Sequence, residues 1–314
     1  YWAVFIRKFD LGDMTLEKLI DPLILEPQTR QPKLDEDGNV IHKYKNAQLP
    51  YNAISYLMRG QVTCGFTGRQ GSGKTTMMKY ALSKADARLT LRILEMTFEL
   101  YGREIYTDRN ILSVQETATV TAAELQDALK KSDAAISIVG EVATDIIAAR
   151  MIQMGQVASI FTIFSHHANR TEDLVQALTN SIVASSGGAA TQDTVEPQVI
   201  DVVKMDVHLD YDVQGNRYIE RMTEIVRTDK NMAYVHVDPL NVLASLAENQ
   251  KRYYEKQTEN RRFKAVDIMH FNKETWTYEV DNYFSAALTK HLLDRLPPEY
   301  VDEFIDWSAE NWKE

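Results

Sequence analysis

The 314-residue sequence predicts an α/β fold: a mostly parallel sheet covered on both faces, antiparallel edge strands and a small helical C-terminal region. Three observations carry that prediction. A strand pattern, a glycine-rich loop and a helix start follow one another over residues 61–82. Strand-length apolar runs then alternate with amphipathic helical runs as far as residue 183. Beyond them, two β-rich runs flank an Asp212-Val-Gln-Gly215-Asn216 turn, the pattern of an antiparallel hairpin. Alternating strands and helices imply parallel strands, because each crossover helix returns the chain to the same end of the sheet.

Each element has its own local reason. Residues 2–9 are β-branched and aromatic enough for a strand, and Thr15 supplies the N-cap of a short helix over 15–22. Residues 26–46 turn polar, with Pro27, Pro32 and an Asp37-Gly38 turn, which reads as a hairpin-like insertion or hinge. A helix over 50–59 leads into the strand 61–67, and a helix over 75–82 opens directly after the glycine loop. Strands follow at 89–96, 110–115, 135–139 and 158–164, with helices at 121–131, 144–154 and 171–183. Residues 185–196, containing Gly187-Gly188, read as a flexible loop. Strands are expected at 199–209, 218–226 and 232–237, then a charged helix over 241–258. Short strands precede a helix at 284–293 and an acidic terminal helix at 298–312. The expected regions are 1–46 (tail of an N-terminal domain and linker), 47–240 (core) and 241–314 (mixed, helical).

Composition narrows the class. An apolar fraction of 44% and a charged fraction of 25% are ordinary for a soluble globular protein. No apolar run is long enough to span a bilayer, and the start has no signal-peptide layout. The chain begins without Met and in mid-pattern, so it reads as a piece of a longer polypeptide. The single cysteine, Cys64, rules out an internal disulfide and reads as a small core residue, consistent with a cytoplasmic compartment. A net charge of −10 argues against a nucleic-acid partner. The basic clusters Lys251-Arg252 and Arg261-Arg262-Phe-Lys264 read as solvated faces.

Gly68-Arg69-Gln70-Gly71-Ser72-Gly73-Lys74-Thr75-Thr76 fits G-x-x-x-x-G-K-[ST] at every fixed position. Its glycines let backbone N–H groups turn inward around a di- or triphosphate. Lys74 supplies a point charge, and Thr75 offers a hydroxyl to Mg²⁺. Arg69, Gln70, Gly71, Ser72, Gly73, Lys74, Thr75 and Thr76 are therefore the expected nucleotide-binding residues, placed at a helix N-terminus that favours phosphate. Glu141 follows the hydrophobic strand 135–139, expected to lie beside the loop strand, where open α/β sheets place ligands. A carboxylate there can reach Mg²⁺ and orient or deprotonate water. Asp133 is the second choice, because it precedes that strand. Glu95 and Glu99 close the strand 89–96 and read either as site acids or as surface acids. His166 and His167 follow an apolar strand. Neighbours on a strand point to opposite faces and no third soft ligand is near, which argues against zinc and for His167 sensing a γ-phosphate.

The order of glycine-rich loop, acidic strand end, Ile138-Val-Gly-Glu141-Val142 and His167-Ala-Asn169 resembles the motif order of the type II/type IV secretion ATPase superfamily. Phe5-Ile-Arg-Lys-Phe9 and Arg221-Met-Thr-Glu-Ile-Val226 make the chain look most like the CpaF-like ATPases of tight-adherence pili and their conjugative relatives. The resemblance implies a RecA-like core, a homohexameric ring with ATP between subunits, and Lys74 and Thr75 as phosphate and Mg²⁺ ligands. It makes Glu141 the catalytic carboxylate and metal neighbour. Glu95 and Glu99 fall on the acidic box and His167 on the histidine box, while Arg7 lies on a segment that contacts nucleotide. It also implies a motor working with an inner-membrane platform protein, peripheral to the cytoplasmic face of the membrane through that partner. The chain departs from the family pattern at Ala143, where Arg is usual, and at Met96, where Asp is usual. The basic positions that the resemblance implies before the Glu141 strand appear only as Lys130 and Lys131, leaving Arg103 and Arg109 as the candidates for an arginine finger. A DNA-transfer ATPase and a nucleotide-switched scaffold are the alternative readings.

Overall fold

The computed structural model describes residues 24, 26, 28–29, 31–96, 99–228, 236–258 and 262–312. The elements expected over 2–9 and 15–22, the nucleotide contact of Arg7, and most of the strand expected over 232–237 lie outside the described residues.

Helix α1 (Gln48–Arg59) leads into β1 (Cys64–Thr67), and the glycine loop opens α2 (Lys74–Lys84). Then come β2 (Leu91–Glu95), the single turn α3 (Gly102–Ile105), β3 (Ile111–Gln115) and α4 (Ala122–Lys130). After β4 (Ile136–Val139) follow α5 (Asp145–Val157), β5 (Phe161–His166), α6 (Thr171–Ser185) and α7 (Gln192–Val202). The edge is built by β6 (Met205–Tyr211), β7 (Arg217–Arg227), β8 (Phe263–Asn272) and β9 (Thr277–Val280). Helix α8 (Val242–Thr258) lies between β7 and β8, and α9 (Ala286–Arg295) and α10 (Val301–Asn311) close the chain.

The strands form one nine-stranded sheet in the order β3-β2-β4-β5-β1-β6-β7-β8-β9. All neighbours from β3 to β6 pair in parallel, and the pairs from β6 to β9 are antiparallel. The sequence reading expected the strands carrying the loop and Glu141 to be neighbours, and they are not. β5 lies between them, pairing Ile163 with both Cys64 and Ile138. Strands β1, β2 and β4 are buried along their whole lengths, which follows from helices covering both faces of a parallel sheet.

The core divides by face. Met77, Met78, Ala81 and Leu82 of α2 join Ile54 and Leu57 of α1 over one face. Met151, Leu174, Leu178, Val195 and Val199, from α5, α6 and α7, cover the other. The C-terminal helices are part of the first layer. Tyr56 meets Phe304 edge-on and Trp307 at a tilt, both with ring centres 5.2 Å away, and Leu292 packs so close to Gly60 that an added Cβ would lie 2.4 Å from it. Buried Glu224 of β7 accepts from the Ser285 N–H at 2.8 Å and so fixes the start of α9.

One further expectation is corrected. The loop expected over 185–196 gives way to α7 at Gln192, and the strand expected from residue 199 starts at Met205. Val195, Val199, Ile200 and Val202 are buried, and their spacing is that of one helical face despite their β-branched side chains. The polar stretch 26–46 does turn back on itself, with Leu34 bridging Val40 across a turn at Gly38, φ +83°.

Candidate nucleotide site

The glycine loop folds as its sequence demands. Gly68, Gly71 and Gly73 have φ of +128°, +81° and +99°, a region side chains rarely enter. At Gly68 a Cβ would also lie 2.1 Å from the Leu209 carbonyl, so the loop passes β6 with no room for one. Lys74, the first residue of α2, is buried and bends back, donating to the Gly68 and Arg69 carbonyls at 2.8 and 3.1 Å. Thr75 and Thr76 sit half-buried in the first turn of α2, Ser72 is fully buried, and Gln70 is exposed at the loop tip. Arg69 turns away toward β6, 2.6 Å from Asp210 and stacked 3.9 Å over the Tyr211 ring.

The acids assemble at the carboxyl edge of the sheet. Glu95 ends β2 and is buried, with Oε1 accepting from the Glu99 and Leu100 N–H groups at 2.9 and 2.8 Å. That bend returns Glu99 to the loop, where its Oε2 accepts from the Thr75 hydroxyl at 3.1 Å. Burial pushes the Glu95 carboxyl above the usual carboxylate range, with its other oxygen unpartnered among the described residues. Glu95 therefore positions Glu99 through its backbone. Glu141, exposed one residue past the end of β4 and Gly140, contacts His167 Nε2 at 3.2 Å. His167 Nδ1 lies 3.2 Å from the Gly68 carbonyl and 3.4 Å from Lys74 Nζ.

Loop, lysine, histidine and glutamate thus form one connected set, reached from Thr75 by Glu99. Of the two metal neighbours expected from sequence, Thr75 meets Glu99, whereas Glu141 contacts His167. The sheet explains the histidine pair differently from simple alternation. β5 ends at His166, whose ring is largely buried with Nδ1 unpartnered among the described residues and its pKa lowered by that burial. His167 lies in the following turn, exposed toward the loop.

The donor set fits a magnesium nucleotide. A glycine loop at a helix N-terminus and a buried lysine suit phosphates, and the Thr75 hydroxyl beside the Glu99 carboxylate offers the hard oxygens that Mg²⁺ takes. A cavity of about 420 Å³ opens between the loop and the turn His167–Asn169, reaching Asp173 on α6.

Two arginines to which sequence reasoning gave no role at the site reach it from β7. Arg217 donates to the Gly71 carbonyl at 2.9 Å, and Arg221 to the Asn169 carbonyl at 2.7 Å. The hairpin announced the strand that carries them, but not its contact with the loop. Arg109 is spent inside the fold instead, donating to the Leu82 carbonyl in the last turn of α2 at 2.9 Å and to the Asp86 carbonyl just past it at 2.7 Å. Arg103 is exposed.

This architecture matches that of the VirB11 ATPase from the Brucella suis type IV secretion system, solved in complex with sulphate, at 20% identity and TM-score 0.50. The match covers 56% of this chain and 52% of that one, about half the length of the relative. The chain shares the fold of that ATPase. The Legionella pneumophila ATPase DotB aligns over 92% of this chain and 78% of its own, at 13% identity and TM-score 0.43. The pilus retraction motor PilT with bound ADP aligns over 67% and 57%, at 14% identity and TM-score 0.42. No protein-family model matches the sequence, and no curated protein matches it. No helix among the described residues is long and apolar enough to cross a membrane.

Proposed function

We propose that this chain is a magnesium-dependent ATPase, the motor of a bacterial secretion or type IV/Tad-like pilus machine. The observation that carries the reading is the connected set Lys74–His167–Glu141 beside Thr75–Glu99, built on a phosphate loop. Lys74 and the loop N–H groups hold the β- and γ-phosphates, and Thr75, with Glu99 behind it, holds Mg²⁺. The metal supplies charge neutralisation at the transferring phosphoryl group. Glu141 orients water and takes its proton, and His167 links that carboxylate to the loop, so that it senses whether a γ-phosphate is present. The site is open on the side of the cavity, where a neighbouring subunit of a homohexamer completes it. Work is delivered to an inner-membrane platform protein at the cytoplasmic face.

Lys74→Ala tests the reading. Lys74 is the only lysine on the loop, and its removal leaves the phosphates without their point charge. MgATP affinity and turnover should fall together and sharply. Unchanged affinity and turnover would remove the site assignment.

A further inference from the structure

Beneath the phosphate loop runs a buried polar chain that nucleotide chemistry does not call for. Thr67, the last residue of β1, has no exposure, and its Oγ lies 2.6 Å from Asp206 Oδ1 and 2.8 Å from His208 Nδ1. Asp206 is equally sealed, and its Oδ2 accepts from the hydroxyl of Thr171, the first residue of α6, at 2.7 Å. His208 Nε2 faces the Glu220 carboxylate at 3.5 Å, and Lys273 holds that carboxylate from the other side at 2.7 Å. Two carboxyl oxygens therefore tie the residue before Gly68 to the helix start four residues after His167.

We propose that Asp206 is held as a neutral carboxylic acid and is the positioning residue that clamps the phosphate loop to the histidine turn. Placing the hydrogen of neutral His208 on Nε2, which faces the Glu220 carboxylate at 3.5 Å, keeps a bare lone pair from meeting an acceptor there. Nδ1 of the neutral ring then accepts, so the single proton of Thr67 goes to His208. The 2.6 Å contact between Thr67 and Asp206 is left needing a proton, and only the carboxyl can supply it. A doubly protonated imidazole would relieve that need, but burial and the nearby Arg221 push His208 down to about 4. No cation pairs with Asp206 among the described residues, and a buried ionised carboxylate would need one. Burial moves its pKa up. The charged groups facing it are Arg221 on β7, which opposes that shift, and Asp267 on β8, which adds to it.

The positioning role rests on the nucleotide reading, whereas the protonation state does not, and the experiment separates them. On the full chain, the infrared difference spectrum of wild type minus Asp206→Asn at pH 7 should contain the carbonyl stretch of a carboxylic acid. Asp206→Asn reproduces one donor and one acceptor, so it should bind a fluorescent ATP analogue within about threefold of wild type. Asp206→Ala leaves the Thr171 hydroxyl without its acceptor and the Thr67 oxygen without its donor, and should lose binding. Should that variant fail to fold, Thr171→Val removes a single hydroxyl and should weaken binding roughly fivefold with the circular dichroism of wild type. Absence of the carboxylic-acid band overturns the neutral assignment. Asp206→Asn binding as poorly as Asp206→Ala, or Thr171→Val binding like wild type, overturns the clamp. A wild type that shows the band yet does not bind the analogue overturns the nucleotide reading and the clamp together, with the protonation state upheld.

Discussion

Glu141→Gln should separate chemistry from binding. The replacement keeps the size and the carbonyl oxygen of the side chain and removes its charge. Among the described residues its polar contact is to His167 at 3.2 Å, with the two side chains 47% and 48% exposed, so the pair contributes at most about 1 kcal/mol to stability. Melting should therefore be unchanged. The binding groups are elsewhere, since Lys74 is anchored by the Gly68 and Arg69 carbonyls and Thr75 by Glu99. Nucleotide affinity should hold. Losing a general base costs roughly 10²–10⁴ in rate, or about 3–5 kcal/mol of barrier. Phosphate release under saturating MgATP should fall by that factor, while a fluorescent ATP analogue binds as tightly as before and the protein accumulates ATP-bound. Turnover at the wild-type rate would refute the assignment and move the carboxylate role to Glu99, the acid that already touches the loop helix.

Two more outcomes follow from the same geometry. Glu99→Gln weakens the acceptor behind the Thr75 hydroxyl, so the Mg²⁺ concentration for half-maximal turnover should rise roughly tenfold, and an unchanged magnesium titration would exclude Glu99 from the metal's surroundings. His208 is neutral when folded, with a pKa of about 4 against 6.5 for the free side chain. Its contribution is complete above about pH 6.5 and is lost as pH falls toward about 4, because the unfolded chain binds the extra proton. Between pH 7 and pH 5, urea unfolding should show wild type losing about 2 kcal/mol more than His208→Gln, and parallel pH profiles would contradict that.

The loop was legible because its residue types are dictated locally: three glycines at positive φ, a lysine that begins a helix and a hydroxyl beside it. The alternation of strands and helices was legible for the same reason, as each burial pattern repeats over a few residues. Strand order was not, since parallel pairing says nothing about which neighbour a crossover reaches, and β5 came to lie between the loop and Glu141. Helix α7 was masked by Pro197 and by β-branched Val199, Ile200 and Val202, whose strand preference yields to a helical face packed on α6. Glu99 could be named but not placed, because its approach to Thr75 depends on Glu95 capturing the chain after β2. Asp206 and Thr67 drew no attention, because two ordinary strand residues become a clamp only through the pairing of Gly65 with Asp206 and Thr67 with His208.

The strand inserted between β1 and β4 acts as a gauge block. Two parallel spacings of about 4.8 Å set the loop strand and the Glu141 strand roughly 9–10 Å apart, and backbone hydrogen bonds hold that gap. Side-chain replacement at the strand ends can alter what fills the gap, but not its width. The turn carrying His167 rises from the middle of it, on the strand that keeps the two walls apart. Evolution can therefore retune the acids at residues 95, 99 and 141 one at a time while the chamber keeps its bore.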